Sequence, residues 1–180
     1  MYMHSRNICH RDLKLENVMY ESSSLSNNTI KLIDFGLSEK YTKNTQMSKA
    51  CGTIYTAAPE VLTGKAYTTQ TDVWSAGVCA YCLLSSAVPF MSDVEDMRDP
   101  AQVLKLTKAK VSFAAPIWEL VSKRGRDFVA TCLRAHPGAR WKARAALENI
   151  RTVWIPALEV SKKKPSHPPF YFLPPKPSPS

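Results

Sequence analysis

The apolar pattern changes character along the chain. Near the start, NVMYE (Asn17–Glu21) and IKLID (Ile30–Asp34) are short runs of strand type, and the polar stretch SSSLSNN at residues 22–28 predicts the turn between them. Residues 1–9 read as the end of a helix or a short lead-in. Residues 38–57 are rich in Thr, Ser and Lys without a sustained apolar period, which predicts a long loop of the kind that carries function. From Tyr67 onward the spacing is helical. A Thr-rich start leads into the apolar run VWSAGVCAYCLLSS. Asp99 before Pro100 has the N-cap then N1 arrangement and predicts a helix over residues 99–110. Between Glu119 and His136, the residues Leu120, Val121, Phe128, Val129, Cys132 and Leu133 fall at helical spacing, with Gly125 as a candidate interruption. A short helix is predicted over Ala139–Ile150, and no internal repeat is evident. The last 20 residues contain seven prolines, which predicts a disordered or polyproline-like tail over 161–180.

The 20 residues from Val73 to Ser92 carry no charge, enough by length for a membrane span. They also hold four Ser, a Gly and a Pro, with Asp72 and Asp93 at the ends. The reading is a helix buried on all sides in a globular core, with no membrane span. The expected fold class is mainly α, of the α+β type, with short β-hairpin elements near the start.

With 180 residues, 44% of them hydrophobic and 22% charged, the chain has the size and composition of one globular domain. A net charge of +9 favours acidic partners such as phosphates, nucleic acid or anionic membranes. No basic stretch is interleaved with aromatics, so no nucleic-acid partner is expected. The five cysteines are an odd number, and MYMHSRN has neither the charged nor the apolar segment of a secretory leader. Reduced thiols in a cytoplasmic or nuclear protein are the expectation. Cys79 and Cys82 form a CxxC inside the apolar run with no His or second CxxC nearby, which points to a buried structural pair rather than a metal or redox site.

The chemistry sits in two motifs, HRDLKLEN (His10–Asn17) and DFG (Asp34–Gly36). Moving a phosphoryl group from ATP to a hydroxyl needs in-line positioning, a cation for the phosphates and a carboxylate at the attacking oxygen. Asp12 can orient the hydroxyl and accept its proton, and Lys14 can lie against the transferring phosphate. Asn17 and Asp34 can ligate Mg²⁺ through oxygen, as that ion prefers. HRDxKxxN followed closely by DFG is a highly specific combination.

From residue 1 to about residue 160 the chain resembles a eukaryotic protein kinase. GTIYTAAPE (Gly52–Glu60), DVWSAGV (Asp72–Val78), Pro89–Phe90 and Arg140 follow in the family's order. Lys14 and Thr53 are similar to the serine/threonine class. IKLIDFGLS, GTIYTAAPEVLTGKAYTTQTDVWSAGV, FAAPIWELVS and ALENIRTVWI are similar to the calcium- and calmodulin-regulated group, particularly the calcium-dependent kinases of plants and protists. The resemblance implies ATP and Mg²⁺ as cofactors, with Lys14, Glu16, Asn17 and Asp34 around them, and protein substrates. Glu16 matches an acidic contact for basic residues upstream of the target hydroxyl. A second acidic position on the central helix is Cys82 here, which weakens that basic preference.

Further roles follow by position. Arg11 would pair with a phosphate or an acidic group of the activation segment, Asp34 to Glu60, in which Thr42, Thr45 and Ser48 are candidate phosphosites. Thr53 would contact Asp12 and Lys14. Asp72 would hold the catalytic-loop backbone, Glu60 and Arg140 would form a buried pair, and His10 and Phe35 would stack in the core behind the site. Pro174–Pro177 offers a PxxP match to SH3-like partners.

The chain has six glycines, none in a GxGxxG arrangement, and no VAIK-type strand precedes His10. The expectation is a partial kinase domain over residues 1–160, equivalent to the C-terminal lobe with the small lobe absent. Such a chain would bind ATP weakly and turn over negligibly by itself. The helix that precedes the catalytic loop in the family would be mostly missing as well, which would leave apolar faces of the Val73–Ser86 helix exposed. No EF-hand pattern occurs, so calcium control would not reside here. The alternatives are a non-catalytic, kinase-like interaction fragment or pseudokinase, and a decaying remnant with no folded state, against which the intact Asp12, Lys14, Asn17 and Asp34 argue.

Overall fold

The computed structural model describes residues 1–22, 29–42, 46–90 and 110–154, together with positions 99, 105 and 108. In chain order these form α1 (Tyr2–Ser5), β1 (Ile8–Cys9), a 3₁₀ turn (Leu15–Asn17), β2 (Val18–Tyr20), β3 (Ile30–Leu32) and β4 (Glu39–Lys40). Then come α2 (Pro59–Leu62), α3 (Gln70–Ser85), a 3₁₀ turn (Pro116–Glu119) and α4 (Lys123–Cys132). The described chain closes with a 3₁₀ turn (Pro137–Ala139), α5 (Ala143–Asn149) and a π turn (Ile150–Trp154). The fold is helix-rich with a few short antiparallel strands.

The strands pair in two small ladders. β2 and β3 run antiparallel, with Val18 opposite Leu32, Met19 opposite Lys31 and Tyr20 opposite Ile30. β1 pairs with β4, Ile8 opposite Lys40 and Cys9 opposite Glu39. The predicted 38–57 loop therefore begins as a strand, and it is pinned again where Met47 and Tyr67 exchange backbone hydrogen bonds of 3.0 and 2.8 Å. Two residues are too few to show a period in sequence. Their pairing partners lie far away in the chain, and only the folded structure supplies them.

α3 is the centre of the core. Val73, Trp74, Val78 and Tyr81 are buried along it, against Trp118 and against Phe128, Val129, Cys132 and Leu133 of α4 and its C-terminal end. Gly77 permits the close approach, because a Cβ there would lie 2.7 Å from the Cβ of Cys132. Trp118 packs on Tyr81 and edge-on to Phe113, each at a centroid distance of 4.7 Å.

Several expectations are corrected. The central helix is not buried on all sides: Ala76 is exposed and Leu83 is 66% exposed. It stops at Ser85, where Ser86 turns left-handed (φ 55°) and donates its N–H to the Cys82 carbonyl. Cys79 and Cys82 are only half-buried, and all five cysteines are free thiols. Gly125 does not interrupt the 119–136 segment. Its N–H caps onto the Ser122 hydroxyl at 3.2 Å in the first turn of α4, while Leu120 lies before the helix and is 83% exposed. α5 begins at Ala143 rather than Ala139, because Ala139 closes a 3₁₀ turn and Arg140 is extended. The helix expected over 99–110, Thr45, the Pro-rich tail and its Pro174–Pro177 match lie outside the described residues, apart from the isolated positions named above. Among the described residues, no helix is long and apolar enough to cross a membrane.

Candidate active site

The segment between β1 and the Leu15–Asn17 turn is held from below by α3. Asp72, in the first turn of that helix, accepts the backbone N–H groups of His10 and Arg11 on separate oxygens, each at 2.9 Å. His4 Nε2 reaches the same carboxylate at 2.7 Å. Burial works to raise the Asp72 carboxyl, but the His4 contact and the two amides outweigh it and hold it below the usual carboxylate range. The loop needs this anchor because Arg11 sits in the left-handed region, φ 68°.

Asp12 lies at the centre. Its Oδ1 accepts the Thr53 hydroxyl at 2.7 Å and the Thr53 N–H at 2.9 Å. Lys14 Nζ lies 3.0 Å from Asp12 Oδ2 and 3.0 Å from Thr53 Oγ1, closing a triangle of carboxylate, ammonium and hydroxyl. Burial acts to raise the Asp12 carboxyl, but the Thr53 and Lys14 hydrogen bonds prevail and keep it ionised below its ordinary range. Thr53 can come this close because Gly52, at φ 99°, passes over the Arg11 carbonyl. A Cβ there would be 2.4 Å from that oxygen.

The Asn17 amide nitrogen donates to the Asp12 carbonyl at 2.9 Å, which leaves its amide oxygen to offer a cation. The Ile33 N–H donates to the Asn17 carbonyl at 3.0 Å, so the ladder carries Asp34 to the position following Asn17's partner. Asp34 is exposed and left-handed at φ 59°, with one oxygen accepting the Gly36 N–H at 3.1 Å. The amide oxygen of buried Asn17 and the exposed Asp34 carboxylate are donors of the kind Mg²⁺ takes, an ion that keeps waters and takes phosphate oxygens for its remaining positions. Among the described residues no cluster of three or more His, Cys, Asp or Glu side chains forms, at the CxxC or elsewhere.

The other predicted residues are placed as follows. Arg11 pairs with Glu39, an acidic group of the segment that follows Asp34, and its side chain also donates to the Leu37 carbonyl at 2.6 Å and to the Tyr67 hydroxyl at 3.3 Å. Thr42 and Ser48 are exposed on that segment. His10 is fully buried and meets Phe35 at 5.1 Å between centroids. Phe35 remains 50% exposed, so the pair marks the rim of the core rather than a column within it. Glu60 and Arg140 form a buried two-pronged pair at 2.6 and 2.7 Å. Glu16 accepts the Tyr55 hydroxyl at 2.8 Å and faces a cleft toward α3, not the Asn17–Asp34 side.

Sequence reasoning missed His4, Glu39, Tyr55 and Tyr67. No sequence pattern marks half-buried His4 or buried Tyr67 as a partner of these loops. No local pattern distinguishes Glu39 or Tyr55.

A family model of the protein kinase domain matches residues 1–150. The chain belongs to the protein kinase family. It is 34% identical over 174 residues to mouse serine/threonine-protein kinase 33, covering 92% of this chain and 34% of that protein. It is 36% identical over 154 residues to rat calcium/calmodulin-dependent protein kinase type 1B, covering 86% of this chain and 42% of that protein. It is 37% identical over 171 residues to calcium-dependent protein kinase 4 of Plasmodium berghei (strain Anka), covering 89% and 31%. The chain thus spans between 31% and 42% of the length of these relatives.

Proposed function

We propose that this chain is the substrate-facing half of a serine/threonine protein kinase, equivalent to the large lobe over residues 1–160. The observation that carries the reading is the Asp12–Lys14–Thr53 triangle, with the carboxylate 2.7 Å from the Thr53 hydroxyl and 3.0 Å from the ammonium. An ionised carboxylate beside a fixed cation is what a phosphoryl acceptor site requires.

In this reading Asp12 takes the hydrogen bond of the acceptor Ser or Thr hydroxyl. As that oxygen bonds the γ-phosphorus of ATP, the bond from phosphorus to the bridging oxygen breaks, ADP leaves with the electron pair, and Asp12 receives the hydroxyl proton. Lys14 balances the charge that the transferring phosphate carries across the bond. Asn17 and Asp34 would hold Mg²⁺, which would neutralise phosphate oxygens of ATP. Arg11 steadies the activation segment through Glu39, and Thr42 and Ser48 are the phosphosites the described part of that segment offers. Glu16 is the carboxylate available to a basic residue of the protein substrate.

The chain by itself is expected to bind ATP weakly and to turn over negligibly, since it supplies no Gly-rich loop and no lysine for the α- and β-phosphates. The test is phosphate transfer from labelled ATP to a serine peptide, by the 180-residue chain and by the longest product of its transcript, each with its Asp12→Ala form. If the transcript encodes a Gly-rich loop upstream, the long form should transfer phosphate and lose it with Asp12→Ala. Ordinary nucleotide affinity and turnover in the 180-residue chain would overturn the half-site reading. Transfer that survives Asp12→Ala would overturn the catalytic assignment.

A non-catalytic interaction module is the second reading, favoured by the exposed apolar residues Met19, Tyr20 and Ile30 on the β2–β3 ladder. Pull-down partners that depend on these residues, with no transfer in any form, would support it.

A further inference from the structure

A second cleft, of about 730 Å³, lies between α1, the turn into α3, and α5 with the π turn that follows it. Lys142, Arg144 and Arg151 line it, and Glu148 is the one carboxylate of the lining. Asp12, Lys14, Asn17 and Asp34 take no part in it. We propose that this cleft docks an acidic segment of a partner protein, one with two carboxylates three residues apart and no acid between them. The proposal goes beyond the catalytic reading and does not depend on it.

The first argument is charge. Elsewhere Arg11, Lys14, Lys31, Lys123 and Arg140 each find a carboxylate within the chain. Among the described residues Lys142, Arg144 and Arg151 make no salt bridge, although Glu148 stands four residues from Arg144 and three from Arg151, the spacings at which helical ion pairs form. His4 also lines the cleft, but its Nε2 is committed to Asp72 at 2.7 Å. Three cations against one carboxylate leave the lining positive, so an anionic occupant is the complementary one.

The second argument is spacing. Arg144 and Arg151 line the same cleft seven residues apart, a rise of about 10 Å along the helix axis. That is too wide for one phosphate group to bridge. An unfolded chain in the polyproline II form turns once in three residues and rises about 9 Å, so carboxylates three apart lie on one face at nearly the separation of the two guanidinium groups. Glu148 falls between the arginines in sequence and repels an acid between the two carboxylates, which makes it a selectivity element.

The third argument concerns the chain itself. Residues 155–180, which follow the π turn, hold four lysines and one glutamate, the wrong sign for this cleft. A second copy carries a net charge of +9 and is repelled at long range. An acidic partner fits instead.

The test is fluorescence anisotropy of labelled peptides on a Gly/Ser background with the 180-residue chain at low salt, without ATP. The peptides carry no acid, two adjacent acids, two acids three residues apart, a run of four acids, or two lysines three residues apart. The spaced pair should bind about tenfold more tightly than the neutral peptide and about threefold more tightly than the adjacent pair. The run of four should gain nothing over the spaced pair, and Glu148→Gln should give it that gain. Arg144→Glu with Arg151→Glu should erase the preference and bind the lysine peptide more tightly than the parent chain does. Lys65→Glu with Arg134→Glu makes the same change of charge at exposed positions outside the cleft and should keep the preference. Circular dichroism verifies folding, and the single variants Arg144→Ala and Arg151→Ala decide if the double variant does not fold. Equal binding of the spaced and adjacent pairs, or equal loss in the two charge-reversed variants, would overturn the proposal. So would displacement of the peptide by inorganic phosphate beyond that by chloride at the same ionic strength. The chain's own carboxylates at this spacing are Asp93, Asp96 and Asp99. A dimer in sedimentation that is lost both with Asp96→Asn and Asp99→Asn and with the cleft variant would assign the cleft to a second copy and overturn the partner reading.

Discussion

Arg140 clasps Glu60 through both terminal nitrogens, at 2.6 and 2.7 Å, and the two residues are 80 positions apart in the chain. The guanidinium also donates to the carbonyls of Arg134 (2.6 Å), Ala135 (2.9 Å) and Gln70 (3.1 Å) and lies 5.0 Å from the Trp74 ring. One side chain thus joins α2, the start of α3 and the turn before α5. Its donors are met by acceptors in fixed directions, which a lysine cannot reproduce.

Removing one partner strands the other in the interior. Arg140→Ala and Glu60→Ala are each expected to cost about 3–5 kcal/mol, and Arg140→Lys to recover only part of that. Urea unfolding followed by circular dichroism gives the three values. A loss under about 1 kcal/mol for Arg140→Ala would show that the clasp is not a structural joint.

Asp72 predicts a pH dependence of stability. Its folded pKa lies below its unfolded value, so its contribution is complete above about pH 4 and is lost as pH falls through the folded value. Asp72→Asn should remove this acid-side slope and lower stability at pH 7 by about 1–3 kcal/mol, since two backbone amides lose a charged acceptor. Urea midpoints measured from pH 7 to pH 3 on both proteins check the sign. Parallel curves would contradict it.

Gly52→Ala meets two obstacles, a φ of 99° and an Arg11 carbonyl 2.4 Å from the new Cβ, on backbone that cannot swing aside. A cost of about 1–3 kcal/mol is expected. The thermal midpoint measures it. An unchanged midpoint would mean that Thr53 reaches Asp12 by another backbone path.

Thr53 is expected to act through Asp12. In a transfer-competent form, Thr53→Val should lower kcat by about 10²-fold with little change in peptide KM, while Thr53→Ser recovers most of it. An effect confined to KM would place Thr53 in binding rather than in positioning the carboxylate.

Tyr67 ties down the segment around Lys49. Its hydroxyl donates to the Lys49 carbonyl at 2.6 Å and accepts from Arg11 at 3.3 Å. Tyr67→Phe should cost about 1 kcal/mol and speed proteolytic cleavage near Lys49. Equal cleavage rates would show that the Met47–Tyr67 backbone pair holds the segment by itself.

Some of this was legible in the residues. Motif letters at fixed local spacing picked out Asp12, Lys14, Asn17 and Asp34, which a single loop and one short hairpin carry. Strands at 18–20 and 30–32 and the helices after Tyr67 were readable because propensity and period act over neighbouring residues. The β1–β4 pair, the Arg11–Glu39 contact and the Met47–Tyr67 bridge were not, since each joins segments that no period connects.

The sequence by itself therefore determined the kind of chemistry: the family, the acidic and amide groups, and the helix that carries the core. The tertiary structure alone decided where those groups point. It brought Thr53 across 41 positions onto Asp12, left Leu83 in solvent on a helix that reads as buried on all sides, and set Tyr55 against Glu16 beside a cleft lined by Cys79 and Cys82. The reason is physical. Residue type and spacing encode local geometry and donor inventory. Burial, pKa and cleft shape are properties of whichever distant surfaces meet.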